Sequence, residues 1–256
     1  SISTKAPGGL SKKKTKKETA QLQERLAELQ NMLFAQGKHS LLIVLQGMDA
    51  SGKGGATRKT FSQVNPLGVN VHSFKKPSDE EAAHDFLWRV HKVAPRKGMI
   101  QIFDRSHYEE VLICRVMGWV DDEKAHRYFN YINMFEQLLE ENGTKILKFY
   151  LHVSEEEQQA RFHERLTDPR KKWKFSDDDL EKAKQWADYR KMYEDIFEHC
   201  SPENPWHIVP TDNNWYKEHY IVKTVVECLE GLDMDYPKGE ITWDDPDTKA
   251  LVAKFG

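Results

Sequence analysis

Cysteine is scarce: Cys114, Cys200 and Cys228 are the only three in 256 residues, and no two form a Cys-x-x-Cys pair. That spacing offers neither a disulfide framework nor a thiolate zinc site, so reduced thiols are expected. Long apolar runs are also missing, since none approaches the roughly 20 residues that a membrane-spanning helix requires. The opening stretch SISTKAPGGLSKKKTKK has lysines but no apolar segment behind them. No secretory signal is read there, and a cytoplasmic protein without membrane association is expected. A strong charge bias is absent too, with 38 basic residues against 41 acidic ones. Such a chain has no global attraction for polyanions, so any anion site must be local and no nucleic-acid partner is expected. The lysine run Lys12, Lys13, Lys14, Lys16 and Lys17 reads as a solvated, flexible basic tail over residues 1–17.

What is present suits one sizeable domain over residues 18–236, followed by an irregular tail over 237–256 with room for one turn of helix at its end: 39% of the chain is hydrophobic and 31% charged. Leu22, Leu26, Leu29, Met32 and Leu33 recur at helical spacing between Glu18 and Gln36, and Gly37 ends the run. SLLIVLQ, Ser40 to Gln46, is a continuous apolar segment of the kind buried on both faces of a parallel sheet. Further strands are expected at 69–74, 99–104, 145–153 and 206–210. Helices are expected from the turn after Gln46 to about 64, at 79–93, at 107–142 with a break near Gly118, within 154–199, and at 215–232. Strands alternating with helices imply a three-layer α/β/α fold with a mainly parallel sheet. Ligands of such sheets bind beyond the carboxyl ends of the strands, here after Gln46, Phe74, Asp104 and Val153.

The first of those positions carries Gly47, Met48, Asp49, Ala50, Ser51, Gly52, Lys53, Gly54 and Gly55. This fits Gly-x-x-x-x-Gly-Lys, the loop whose N–H groups and following helix cradle phosphates while the lysine offsets their charge. One element of the pattern is missing. The Ser or Thr that ordinarily follows the lysine and touches Mg²⁺ is Gly54. In its place an acid, Asp49, stands inside a loop built for anions. There it would repel phosphate by several kcal/mol unless a cation came between them, so Asp49 is read as a ligand of Mg²⁺.

The third strand closes on Ile102, Phe103 and Asp104, with Arg105 next. An apolar strand ending in aspartate suits a second Mg²⁺ ligand, and Arg105 supplies a planar fork for phosphate oxygens. Farther on, ARFHERLTDPRKKWKF places Arg161 and Arg165 one helical turn apart, followed by Arg170, Lys171, Lys172 and Lys174 around Trp173. A cationic helical lid over about residues 160–178 would exclude water and offset charge on transferring phosphates. Ser176, ahead of Asp177, Asp178 and Asp179, reads as a helix N-cap. Lys75, Lys76 and Arg115 are further candidate contacts for a long polyanion.

Taken together, GMDASGKGG, SFKKPSDEEAAHDFLWRVHKVAP, FDRSHYEEVLICRV, NGTKILKFYLHVSEEEQQARF, and DPRKKWKFS through WADYR to PWHIVPTDNNWY resemble the family-2 polyphosphate kinases. The resemblance runs from about Leu22 to Tyr236. It implies a phosphate-loop kinase core like that of thymidylate kinase, a requirement for Mg²⁺, and assembly as a homodimer or homotetramer. It places Asp49 and Lys53 in the first phosphate motif, Asp104 and Arg105 in the second, and Arg165 in the lid. The expected reaction is reversible transfer of a phosphoryl group from inorganic polyphosphate to ADP or GDP. The Ser106-His107-Tyr108-Glu109 stretch resembles the branch that also uses AMP, although many AMP-using members carry asparagine where this chain has Asp104. Two other readings stay open from the residues alone: an ATP-dependent nucleoside monophosphate kinase, and a nucleotide-sensing switch or RNA-binding module with little turnover.

Overall fold

The computed structural model describes residues 2–174, 185–200, 204–239 and 245–255. Five strands, β1 (Ser40–Gln46), β2 (Val69–Ser73), β3 (Ile100–Asp104), β4 (Thr144–His152) and β5 (Trp206–Pro210), form one sheet in the order β2-β3-β1-β4-β5. Every pairing is parallel. The seven residues of β1 are all buried, which explains their unbroken apolar character. Because side chains alternate along a strand, Leu41, Ile43 and Leu45 enter one core and Leu42 and Val44 the other.

The first core is closed by α1 (Lys12–Gln36), through Leu26, Leu29 and Leu33, and by α6 (Asn214–Glu230), through Ile221, Val222, Val225 and Leu229. Opposite lie α3 (Asp122–Glu141), with Ala125, Phe129, Ile132 and Phe135, and α5 (Trp186–His199), with Tyr189, Tyr193 and Ile196. The result is the expected α/β/α sandwich. Two shorter helices, α2 (Lys53–Thr60) and α4 (Glu155–Thr167), leave the carboxyl ends of β1 and β4. Since β1 lies between β3 and β4, its carboxyl end opens at the point where strand order reverses, the usual crevice of such sheets. Among the described residues no helix is long and apolar enough to cross a membrane.

Three expectations are corrected. The segment 1–17 is not a free tail: α1 begins at Lys12, capped by the Ser11 side chain, so the lysine run occupies its first turns. Thr15 and Thr19 are buried there, and Thr19 lies within hydrogen-bond distance of His219 on α6. Ahead of the helix, Thr4 donates to Asp212 at 2.7 Å and Ala6 N–H to Asn213 at 3.0 Å. Residues 79–93 form two single turns, Asp79–Ala82 and Trp88–His91, instead of one helix. Asp85 divides them, because its Oδ1 accepts from the N–H groups of Leu87 and Trp88 and starts a new turn. The last segment is a ten-residue helix, α7 (Pro246–Phe255), with proline at the position where a missing N–H costs nothing. The break near Gly118 occurs as expected: Gly118 has φ +70° and Asp121 caps α3.

Candidate active site

The loop between β1 and α2 needs glycine at two places for steric reasons. Gly47 has φ +147°, and a Cβ there would lie 2.8 Å from the Leu151 carbonyl oxygen. Gly52 has φ +98°, and a Cβ would meet the Lys217 ammonium at 2.7 Å. The loop carbonyls are captured one after another by side chains. Lys53 Nζ donates to the oxygens of Gly47 (2.8 Å) and Met48 (3.3 Å), and Gln158 Nε2 to that of Asp49 (2.8 Å). Arg161 Nη1 donates to the oxygens of Ala50 and Ser51, both at 2.9 Å, and its Nη2 to Thr211 O at 2.6 Å. Gly52 O accepts from Ala56 N–H at 2.9 Å and from Lys217 Nζ at 3.4 Å. With the carbonyls so engaged, the first-turn N–H groups of α2, which have no partners within the helix, form the donor-rich end of the loop. Gly47 N–H is used differently, donating to the buried Tyr193 hydroxyl at 3.1 Å.

The charged groups meet at the ends of β1 and β3. Leu45 pairs with Asp104 across the ladder, and Arg105 N–H donates to Leu45 O. Arg105 adopts φ +63°, an unusual value for a residue with a side chain. Its Nη2 reaches Asp49 Oδ1 at 2.8 Å. Burial opposes the Arg105 charge, but Glu109, Asp49 and Asp104 hold the guanidinium firmly protonated. Burial also lowers the Lys53 ammonium, against the pull of Asp49 and Asp104. Glu109 is pushed up by burial, with Arg105 and Lys53 opposing. Asp49, Asp104, Lys53, Arg105 and Glu109 thus form one electrostatic cluster.

Behind this cluster the turn after β3 is anchored in the core. Glu136 accepts from Tyr108 Oη (2.8 Å) and Lys148 Nζ (2.7 Å) and lies 3.3 Å from His107 Nε2; Lys148 also donates to Cys200 O at 2.6 Å. All four side chains are buried, so the segment carrying Arg105 and Glu109 is fixed from beneath.

A narrow pocket of about 30 Å³ lies between Gly47, Met48, Asp49, Arg105, Glu109 and Gln158. Arg105 and Glu109 also line a cleft of about 1890 Å³ whose walls include Lys75, Lys76, Arg89, Trp119 and Tyr128. Lys75 and Lys76, the candidate polyanion contacts, line this cleft. Arg115 does not: its side chain is 4% exposed and donates to Asp122 and Asp195 at 2.6 and 2.8 Å. From this buried position it ties Asp122, at the start of α3, to Asp195 on α5, which corrects its reading as a polyanion contact. Arg161 is likewise engaged with loop carbonyls and with Glu157 at 2.8 Å, so it shapes the loop instead of offering itself to a ligand.

Arg165 lies one turn farther along α4, its guanidinium 5.4 Å over the Phe162 ring and its Nη1 3.5 Å from Lys174 O. The lid expected over 160–178 is described to residue 174. It comprises the end of α4 and a turn at Lys172–Lys174 that carries an exposed Trp173. The Ser176 cap lies outside the described residues.

Asp49 and Asp104 are hard oxygen donors acting on the same lysine. Among the described residues no group of three or more His, Cys, Asp or Glu side chains could hold a metal ion by itself. That donor set fits Mg²⁺, which takes one or two carboxylates and completes its shell with waters and substrate phosphates.

Sequence reasoning missed Gln158, Lys217, Glu109 and Tyr193. Gln158 is three residues before Arg161 on one helical face, a signal that could have been used. Lys217 follows β5, whose carboxyl end belongs to the same crevice as the other strand ends.

Comparison with known proteins points the same way. Residues 9–237 match the family model described as Polyphosphate kinase 2 (PPK2). An AMP/ADP-polyphosphate phosphotransferase of Meiothermus ruber is 47% identical over 222 residues, covering 86% of this chain and 83% of that protein. An ADP-polyphosphate phosphotransferase of Rhodopseudomonas palustris is 42% identical over 228 residues, 84% of this chain and 79% of that one. The crystal structure of Polyphosphate Kinase 2 from Arthrobacter aurescens TC1 superposes with a TM-score of 0.93 at 42% identity, covering 99% of this chain and 91% of that chain.

Proposed function

The chain belongs to the polyphosphate kinase 2 family, and from that premise we propose that it transfers a terminal phosphoryl group reversibly between inorganic polyphosphate and ADP or GDP, with AMP as a further acceptor. The observation that carries this reading is the cluster at the ends of β1 and β3. Asp49, in a loop whose carbonyls are turned to other donors, and Asp104, at the end of β3, act together on Lys53 and Arg105. Carboxylates there make sense when two strongly negative reactants must be brought together through divalent cations.

In this reading the α2 N-terminus and Lys53 bind one polyanion, and Arg105 offsets charge on the phosphoryl group in flight. Arg165 approaches the same group from the lid and excludes water. Asp49 and Asp104 would hold Mg²⁺, which when bound would neutralise phosphate oxygens of donor and acceptor. Positioning and charge compensation suffice for in-line transfer, and no covalent enzyme intermediate is needed. The bonds broken and formed are both phosphoanhydrides when a diphosphate is the acceptor, so the reaction runs either way. Lys75 and Lys76 guide the long donor along the cleft. A cytoplasmic location and a homodimer or homotetramer complete the proposal.

The test supplies Mg²⁺ and polyphosphate with AMP, ADP or GDP in turn and separates the nucleotide products. ATP from ADP and GTP from GDP are expected, with ADP from AMP as the second activity. Transfer to AMP from ATP but not from polyphosphate would replace this reading with a nucleoside monophosphate kinase. Tight nucleotide binding without any transfer would replace it with a sensing module.

A further inference from the structure

Lys217 has no part in the chemistry above, yet it is among the most deeply buried charged side chains of the molecule. It stands in the first turn of α6, is 2% exposed, and directs its ammonium at the back of the phosphate loop. Nζ donates to Asn214 Oδ1 at 2.8 Å and to Gly52 O at 3.4 Å. The Arg161 guanidinium lies beside it from α4. The acidic groups facing the pair are Glu157 on α4, which accepts from Arg161 Nε at 2.8 Å, and Glu218 on α6, which acts on Lys217 only through space. Two cations are therefore packed behind the loop with one carboxylate in contact, and that carboxylate is in contact with the arginine.

We propose that Lys217, together with Arg161, is a positioning residue that gives the phosphate loop a cationic backing and aims its N–H groups at the bound polyanion. In a trans peptide the C=O and the following N–H point in opposite directions. Gly52 O, held between Ala56 N–H and the Lys217 ammonium, turns the Lys53 N–H the other way, and fixing Ser51 O toward Arg161 does the same to the Gly52 N–H. These are the donors at the head of α2. Glycine at 52 suits this close approach as well as its φ of +98°, which strains any residue with a side chain.

Charge supplies the second half. An ammonium out of water with only neutral oxygens in contact is costly, and a fold keeps such a group where a counter-charge arrives. The polyanion on the opposite face of the loop is that counter-charge. Lys217 and Arg161 act on it through the loop backbone without touching it.

This inference rests on the function proposed above, and its test separates the two. Inorganic tripolyphosphate binding by calorimetry and steady-state transfer from polyphosphate to ADP are measured for the unmodified protein, Lys217→Met, Lys217→Arg and Asn214→Ala. Absence of transfer by the unmodified protein would refute the function. With that activity present, Lys217→Met is expected to bind tripolyphosphate about tenfold more weakly and to lose at least as much in kcat/KM. Lys217→Arg should recover much of both. Asn214→Ala, at an exposed position, should shift both in the same direction by roughly threefold. A folded Lys217→Met with affinity and kcat/KM within about twofold of the unmodified protein would overturn the proposal. Should that variant fail to fold, an unchanged Asn214→Ala overturns it instead.

Discussion

Replacing Lys217 by methionine should make the protein more stable while making it a worse enzyme. The ammonium is 2% exposed, and burial lowers it from the ordinary 10.5 to about 8, with Arg161 adding to the fall and Glu218 and Glu157 opposing it. At neutral pH the side chain is still charged, so the folded state carries the strain of holding a proton in a place that disfavours it. At about 1.36 kcal/mol per pH unit, the gap between 10.5 and 8 corresponds to about 3 kcal/mol. Methionine is close in length and removes that cost. It also removes the hydrogen bonds to Asn214 and Gly52, worth about 1 to 2 kcal/mol together, the second being long. The net gain at pH 7 is about 1 to 2 kcal/mol. The pH dependence follows from linkage. Below pH 8 the folded and unfolded chains both hold the proton and the gap between variant and unmodified protein is flat. Between 8 and 10.5 the unfolded chain keeps a proton that the folded chain has released. The unmodified protein therefore gains stability with rising pH in that window, and the advantage of the variant shrinks. Urea unfolding of both proteins at neutral pH and at about pH 10 measures this. A variant that is less stable at neutral pH, by an amount that does not change with pH, would refute the reasoning.

Arg165→Ala should lower turnover far more than it lowers the melting temperature, because the side chain lies at the end of α4, over Phe162 and against Lys174, in the segment proposed as the lid; a large melting loss with activity retained would reassign it to structure. Gly52→Ala should cost more than about 1 kcal/mol in urea unfolding and sharply reduce transfer, since φ +98° and the 2.7 Å approach of Lys217 both exclude a side chain; near-normal stability would mean the loop relaxes freely. Lys148→Met alone strands Glu136 in the core and should destabilise by about 3 to 5 kcal/mol, whereas Lys148→Met with Glu136→Met should recover much of that loss. Equal losses in the single and double variants, measured by the same unfolding, would contradict the account of that buried pair.

The parts of the molecule that were legible in sequence are those set by local physics. SLLIVLQ could be read as a central strand because a strand buried on both faces has no polar alternation. The phosphate loop could be placed because its glycines, its lysine and the flanking strand are contiguous. The start of α1 was hidden because five lysines look like a solvated tail. What makes them helical is the Ser11 cap and the burial of Thr15 and Thr19. The division of 79–93 depends on one aspartate choosing the backbone over solvent. The errors at the site are non-local in the same sense. Arg115 resembles any surface arginine until α5 brings Asp195 to it from 80 positions away. Lys217 meets Gly52 across 165 positions. No pattern within a window of the sequence announces either contact. Arg161 was placed near the right chemistry but with the wrong partner, since its helix carries it to the loop carbonyls.

The most direct test of the central claim compares the initial rate of ATP formation from polyphosphate and ADP across a Mg²⁺ titration for the unmodified protein, Asp49→Asn and Asp104→Asn. A strict Mg²⁺ requirement is expected in the unmodified protein and a loss of at least about a hundredfold in each variant, with the fold intact by circular dichroism. Turnover by Asp49→Asn near the unmodified rate, with the same Mg²⁺ dependence, would contradict it.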